Sequence, residues 1–247
     1  MRSGFNPNGY VVRISENALA HMCLCGLEAY SVRHRRKSSR GPLETYGELW
    51  GHETRMSNGQ TLYAVELATV DTSTLMEAES VLPAEEALDL KRDITTSFWP
   101  QFDFLGDFHT HPYRSPAEVV GNGLKNYEYS DQDFNRVQRY PDSWQRHNYR
   151  VGMVLTIARM RRASFRDHRW LEDSTIEFTL GNYRLWLKTY VTFQRAGKLT
   201  LSAHDQPGVL LDCPALVGLK GEYTPFGRGV TGPGKRHKAG AIDMKPI

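Results

Sequence analysis

The chain is poor in cysteine and lacks the apolar segments that membrane insertion or secretion would need. Its three cysteines, Cys23, Cys25 and Cys213, do not suggest an even disulfide framework. No apolar run approaches the roughly 20 residues of a membrane-spanning helix. The first residues, MRSGFNPNGY, also lack the apolar core of a signal peptide. We therefore expect a cytoplasmic protein without a membrane partner.

A strong charge excess is likewise absent from most of the sequence. The net charge is +3, but residues 220–247 contain six Lys/Arg and two Asp/Glu, whereas residues 1–219 contain 25 and 26. A near-neutral main part argues against a nucleic-acid-binding face. Nucleic-acid association stays an alternative because the chain has basic segments at 33–37 and 159–166 and a basic tail. We interpret residues 33–41 as a solvated loop.

Cys23 and Cys25 form a C-x-C pair close to His21, a pattern that also occurs in metal sites. The apolar residues around the pair follow helical spacing, so we interpret the thiols as part of a buried helix face.

The apolar patterns predict a single α/β or α+β domain with a mixed β-sheet flanked by helices. Segments 175–180 and 183–193 are strand-like or mixed, and their type stays open. Strands are expected at 10–14, 44–51, 61–70, 102–111 and 149–159, and helices at 15–30, 83–99 and 130–140.

The predicted domain covers residues 1–205 and carries insertions near residues 71–82 and 112–129. We expect residues 112–129 to form a loop. Residues 206–247 form a C-terminal extension, which we expect to be disordered from about residue 221 because it is rich in Gly and Pro and poor in large apolar residues.

The segment LGDFHTHPYR (105–114) places two histidines two positions apart at the end of a predicted strand. Side chains at i and i+2 of a strand point to the same face, so His109 and His111 project together. Two neutral imidazoles in this arrangement can bind one metal ion. An H-x-H pair also occurs at polar strand ends, so a metal site needs further ligands.

A carboxylate in the next helix supplies a candidate third ligand. If Ser130 caps that helix, Asp133 lies in its first turn, where the helix dipole favours a carboxylate. A base for hydrolysis would come from ETYGELWG (44–51). Glu44 and Glu48 lie on the same strand face, and periodicity does not distinguish between them.

In combination, ETYGELWG, GDFHTHP and SDQD resemble the JAMM (MPN-plus, JAB) metalloprotease family, whose deubiquitinase members carry a glutamate, then H-x-H, then S-x-x-D. The resemblance covers residues 10–159. It implies an MPN-type fold, Zn²⁺ bound by His109, His111 and Asp133, and Glu44 rather than Glu48 as the catalytic glutamate. It also implies that Ser130 stabilises the oxyanion.

The activity implied by this resemblance is zinc-dependent cleavage of isopeptide or peptide bonds that follow ubiquitin or a ubiquitin-like modifier. Glu44 would accept a proton from the attacking water and pass it to the departing amine. Candidate docking surfaces are Thr61–Val70 and the two insertions. The compact chain resembles bacterial members, including those encoded with ubiquitin-like conjugation systems in antiphage operons, which is an analogy only.

Two features depart from the family pattern. The 18 residues between His111 and Ser130 make a longer gap than is usual, and we interpret them as an inert surface insertion or a flap. Asp107 shares a strand face with His109, and it either orients this histidine or is a surface carboxylate. The alternative functions are a non-catalytic MPN-type interaction scaffold and a JAB-like protein associated with nucleic acid.

Overall fold

A computed structural model describes residues 9–32, 42–72, 75–76, 81–82, 85–139, 151–163, 168–195, 198–201, 208–217, 223–224 and 228–229. The strands are β1 (Tyr10–Ile14), β2 (Tyr46–Arg55), β3 (Thr61–Val70), β4 (Leu75–Met76), β5 (Val81–Leu82), β6 (Asp103–Tyr113), β7 (Val151–Arg159), β8 (Arg169–Glu172), β9 (Thr175–Leu180), β10 (Tyr183–Arg195), β11 (Lys198–Leu201), β12 (Val209–Asp212), β13 (Tyr223–Thr224) and β14 (Arg228–Gly229). The α-helices are α1 (Glu16–Ser31), α2 (Glu85–Phe98), α3 (Pro116–Val120), α4 (Asp131–Arg139) and α5 (Pro214–Val217).

Ten of these strands form one mixed sheet in the order β12-β1-β3-β2-β6-β7-β10-β9-β8, with β11 paired to β10. The histidine strand β6 lies in the middle of the sheet. It pairs antiparallel with β2 and parallel with β7. The prediction of a mixed α/β architecture is confirmed.

The beginning of α1 follows from the sequence. The Ser15 hydroxyl oxygen accepts a hydrogen bond from the Ala18 backbone N–H at 3.2 Å, which satisfies one of the helix's unpaired donors. Gly26 then lets α1 approach the sheet closely, because an added Cβ would lie 3.0 Å from Ile157 Cδ1 and 3.1 Å from Thr110 Cγ2. Helix α1 therefore packs directly on the strands that carry the histidine segment.

The two faces of the sheet carry different cores. The face beneath α1 holds the larger apolar cluster, which includes Leu49, Phe108, Leu155 and Leu185. The opposite face holds two smaller clusters. The buried members of the first are Trp50, Leu88, Phe104, Tyr129, Val154 and Tyr190, and those of the second are Val119, Tyr127, Ala158 and Trp186. His109 and His111 project onto this opposite face.

The two glycines of ETYGELWG are required by close packing of β2. A Cβ on Gly47 would lie 2.2 Å from the Thr69 carbonyl oxygen and 2.5 Å from Phe108 Cε1. A Cβ on Gly51 would lie 1.8 Å from the Ala64 carbonyl oxygen. These glycines keep β2 in register between β3 and β6.

Several boundaries differ from the predicted ones. Strand β2 begins at Tyr46 rather than at Glu44, and β6 continues to Tyr113 because its pairing with β7 extends that far. The segment 112–129 is not the predicted loop, since it contains α3 and a 3₁₀ turn at Gly121–Gly123. The undecided segment 183–193 belongs to strand β10.

The sheet also includes chain from the predicted C-terminal extension. Strand β12 pairs in parallel with β1 through Tyr10–Val209 and the three following pairs. The segment that begins at residue 206 therefore contributes an edge strand, because its apolar residues Val209 and Leu211 are buried. The predicted disorder from residue 221 falls mainly outside the described residues, as do the basic loop 33–41 and half of the insertion at 71–82.

Strand β3 is not an open edge to which an extended peptide could add. Thr61–Val65 pairs with β1 on one side and β2 on the other. Further along, the carbonyl oxygens of Glu66 and Val70 accept hydrogen bonds from Ser15 Oγ and Lys91 Nζ. Backbone docking along Thr61–Val70 is therefore not available. Across the described ranges, no helix combines the length and apolarity needed to cross a bilayer.

Candidate metal centre

Three predicted ligands meet on the face of the sheet opposite α1. His109 and His111 lie near the end of β6, and Asp133 lies in the first turn of α4. The ligand atoms of the three residues all lie within 4.8 Å of one another. The structure therefore brings together the three side chains that the motif predicts, and the group could hold a metal ion.

The ligand atoms lie close enough together to surround one ion. His109 Nε2 lies 3.1 Å from His111 Nε2. His109 Nε2 lies 3.3 Å from Asp133 Oδ1, and His111 Nε2 lies 3.3 Å from Asp133 Oδ2. Ligands 2.0–2.1 Å from a tetrahedral ion are separated from one another by about 3.3 Å. The distance between the two histidine nitrogens is close to this value, while Asp133 presents a different carboxylate oxygen to each histidine.

The charges around the cluster keep a carboxylate and a neutral imidazole available. Burial alone would raise the pKa of Asp133, but His109 and His111 outweigh it and hold this pKa well below its ordinary value. Burial lowers the pKa of His111, and the charge of His109 lowers it further. Burial would also lower the pKa of His109, but the charges of Asp133, Asp107 and Glu44 raise it above its ordinary value.

Ser130 is the N-cap of α4, as predicted. Its hydroxyl oxygen accepts the Asp133 N–H at 3.2 Å, and its own N–H donates to Asp133 Oδ2 at 2.8 Å. The Ser130 hydroxyl also donates to Asp133 Oδ2 at 2.7 Å. This reciprocal capping fixes the carboxylate that faces the histidines. A role in oxyanion stabilisation would require the hydroxyl proton to turn away from Asp133.

The two candidate bases have different surroundings. Glu48 is 1% exposed and forms an ion pair with Lys91 at 2.5 Å. Its Oε2 also accepts a hydrogen bond from Thr69 Oγ1 at 2.8 Å. Glu44 is half-buried, and its charge acts on both His109 and Tyr113. The charge of Glu44 therefore reaches the histidine cluster, while Glu48 is held by α2 and β3.

Tyr113 is a neighbour of the cluster that the sequence reasoning missed. Burial raises the pKa of Tyr113, and the charges of Glu44 and Asp133 raise it further. Its position, two residues after His111 on the same strand, is the signal that predicts this placement. Asp107 acts electrostatically on His109, in agreement with the predicted shared face.

The cysteines do not form a second metal group in the described part of the chain. Cys23 and Cys213 are buried, and burial raises the pKa of each thiol. The interpretation of Cys23 as a core thiol is confirmed, whereas Cys25 is half-buried. Among the described residues, His109, His111 and Asp133 make up the one group of three or more ligand-type side chains that could hold an ion.

Comparison with protein-family models and with curated proteins identifies no relative of this chain. No protein-family model matches the sequence, and no curated protein matches it. The resemblance to the JAMM family therefore depends on the motif residues and on the geometry described above.

Proposed function

We propose that this protein is a JAMM-type zinc isopeptidase or peptidase that removes ubiquitin or a ubiquitin-like modifier from conjugates or precursors. The observation that carries the proposal is the mutual approach of His109, His111 and Asp133 at 3.1–3.3 Å, and the charge of Glu44 acts on this group through His109. Under the same proposal, the sheet and its helices correspond to an MPN-type fold.

Zinc is the ion that the family resemblance implies, and this donor set suits zinc as well as iron(II). Two imidazole nitrogens and one carboxylate oxygen are typical zinc ligands, whereas magnesium and calcium prefer oxygen ligands throughout. Three protein ligands also leave one coordination position for solvent or substrate, which is typical of catalytic zinc sites. Bound zinc would supply a Lewis acid that makes water acidic enough to ionise near neutral pH.

The protein's own side chains would provide the proton transfers. Glu44 would accept a proton from the attacking water and return it to the leaving amine nitrogen. Glu48 is less suited to this role because its carboxylate is occupied by Lys91 and Thr69. The Ser130 hydroxyl would turn away from Asp133 and donate a hydrogen bond to the developing oxyanion.

The exposed apolar side chains on α2 support the proposal that the substrate is a protein. Leu90, Ile94 and Phe98 follow one another at four-residue intervals along α2, and Trp99 follows the helix directly. Phe98 is 73% exposed and Leu90 is 61% exposed. Contiguous exposed apolar residues are typical of protein–protein interaction sites. By analogy, the substrate belongs to a bacterial ubiquitin-like conjugation system with a role in antiphage defence.

The decisive experiment compares the zinc-loaded protein with Glu44→Gln on ubiquitin-like fusion substrates. We expect about one zinc per chain in both proteins, with cleavage by the unaltered protein and a loss of about 10²-fold or more in the variant. Glu53→Gln, an exposed substitution on β2, is the matched control and should retain activity. Chelation of zinc should abolish cleavage. Full activity of Glu44→Gln would contradict the proposal.

A non-catalytic scaffold is the second candidate, and the exposed apolar side chains of α2 are the observation that favours it. A scaffold would bind ubiquitin-like proteins equally well with and without Glu44 or zinc, and it would cleave none of them. Binding without any zinc-dependent cleavage across ubiquitin-like fusions would favour this candidate over the enzyme.

A further inference from the structure

The insertion between the histidines and Ser130 (residues 112–129) is anchored in the fold. Val119 is fully buried and Tyr127 is 4% exposed, and both belong to an apolar cluster with Ala158 of β7 and Trp186 of β10. The Asn126 N–H donates to the Val119 carbonyl oxygen at 3.0 Å, which closes the insertion on itself. The side chains of the insertion thus form part of a core.

Charged side chains attach the end of the insertion to β8 and β10. Lys125 Nζ lies 2.6 Å from Glu172 Oε1, and Lys188 Nζ lies 2.5 Å from Glu172 Oε2. Glu128 Oε1 lies 3.6 Å from Lys125 Nζ and 4.0 Å from Lys188 Nζ. The positive charges of the two lysines equal the negative charges of the two glutamates. Lys188 is only 3% exposed, and these carboxylates provide its counter-charge.

An aromatic stack continues from this anchor to the metal ligands. The rings of Tyr129 and Tyr190 are parallel within 16°, with centroids 4.0 Å apart. The Tyr129 ring also stacks with the His109 ring, with centroids 5.6 Å apart and an angle of 20° between the planes. The Tyr190 hydroxyl oxygen accepts the backbone N–H of Tyr129 at 2.9 Å, inside the protein. Tyr190 therefore holds both the ring and the backbone of Tyr129.

The residues held in this way belong to the candidate metal site. Tyr129 contacts His109 through its ring and precedes Ser130, whose N–H and hydroxyl both donate to Asp133. Phe134 packs against Tyr129 with ring centroids 5.8 Å apart, so the start of α4 rests on the same stack. Tyr190 contacts both of these aromatic residues, with ring centroids 4.0 Å from Tyr129 and 6.5 Å from Phe134.

We propose that Tyr190 is a positioning residue for the metal centre. Under this proposal the insertion does not act as a flap, and its last residue, Tyr129, holds the metal ligands in place. The Tyr190 ring and hydroxyl fix Tyr129, and Tyr129 in turn fixes the His109 imidazole and the chain that leads to Asp133. This inference rests on the proposed zinc site. Side chains that orient metal ligands typically change metal affinity by about 10–100-fold when they are altered.

The test measures zinc affinity of the full chain by competition with a chelator, without any substrate. Tyr190→Phe keeps the ring but removes the acceptor for the Tyr129 N–H, and we expect an about tenfold weaker affinity. Tyr190→Leu also removes the stack, and we expect a loss of about 100-fold. The absorption spectrum of the cobalt(II)-loaded protein should shift in both variants, because the orientation of His109 changes.

Tyr183→Phe is the matched control. Tyr183 lies on the same strand, is 2% exposed and shares a hydroxyl hydrogen bond with Ser31 Oγ at 2.9 Å, but its ring belongs to the core on the opposite face. Its substitution should lower stability without changing zinc affinity or the cobalt spectrum.

The possible outcomes separate the inference from the proposed function. If the unaltered protein does not bind zinc, both are overturned. If it binds zinc and the Tyr190 variants bind it equally well, the positioning role is wrong while the proposed function stands. If Tyr190→Leu does not fold, the comparison of Tyr190→Phe with Tyr183→Phe decides: equal affinities overturn the inference, and a selective loss in Tyr190→Phe supports it.

Discussion

Glu44 and Glu48 lie four residues apart in one segment, yet the protein surrounds them differently. Glu48 is almost completely buried, pairs with Lys91 of α2 and accepts a hydrogen bond from Thr69 of β3. Thr69 Oγ1 in turn accepts a hydrogen bond from Trp50 Nε1 at 2.9 Å. Glu44 is half-buried near the start of β2, and its charge acts on His109.

This difference shows that a carboxylate's role depends on the partners that other elements bring to it. Burial raises the pKa of Glu48, and Lys91 and Thr69 counteract the rise by favouring the charged form. This network connects α2 to the sheet, and removal of one partner would leave the other buried without its counter-charge. The charge of Glu44 instead acts on His109, and under the proposed function this glutamate would be the proton acceptor.

The largest expected difference between the two glutamates concerns turnover. We expect Glu48→Gln to retain at least about a third of the wild-type rate, whereas Glu44→Gln loses about 10²–10⁴-fold in kcat. The measurement is steady-state cleavage of a ubiquitin-like fusion at saturating zinc. The opposite ranking would assign the base to Glu48.

A smaller effect is expected on stability when Lys91 is replaced. Lys91→Met leaves the Glu48 carboxylate buried without its cation, so the free energy of unfolding at pH 7 should fall by about 2–3 kcal/mol. The loss should shrink as the pH falls towards 4.5, because a protonated Glu48 no longer needs the cation. Urea unfolding at pH 5 and pH 7 measures both values. Glu44→Gln is the comparison, and a loss in that variant as large as in Lys91→Met would remove the distinction.

The smallest expected effect concerns Glu172, a carboxylate whose pKa moves in the other direction. Burial would raise the pKa of Glu172, but hydrogen bonds and ion pairs with Lys125 and Lys188 lower it to about 2. This group therefore contributes stability above pH 4.5, and the contribution is lost as the pH falls towards 2.

Glu172→Gln should accordingly lower the free energy of unfolding at pH 6 by about 1 kcal/mol, after allowance for solvent screening. The difference from the unaltered protein should decrease at pH 3 and vanish near pH 2. A difference that stays constant between pH 6 and pH 2 would show that packing, and not charge, accounts for the loss.

Local signals in the sequence predicted much of the fold around the site. Alternation along β6 placed His109 and His111 on one face, and the cap signal at Ser130 placed Asp133 in the first turn of α4. Both features depend on residues close together in the chain. The Ser115-Pro116 pair is a further helix-start signal, since proline favours the first helical turn, and it could have predicted α3.

Long-range partners were beyond sequence reasoning. Glu48 is separated from Lys91 by 43 residues and Tyr129 from Tyr190 by 61, and no periodicity within either segment indicates the other. The pairing of β12 with β1 is also a long-range contact, since it joins residues near the two ends of the domain. Periodicity did not distinguish Glu44 from Glu48, the family resemblance favoured Glu44, and only the tertiary structure shows that Lys91 and Thr69 hold Glu48.

X-ray absorption at the zinc edge of the loaded protein tests the central claim most directly. We predict two imidazoles and oxygen ligands at about 2.0–2.1 Å from the ion, with one imidazole lost in His111→Ala. A sulfur ligand at about 2.3 Å, which only a cysteine such as Cys25 would provide, or the absence of imidazole from the zinc shell would contradict the account.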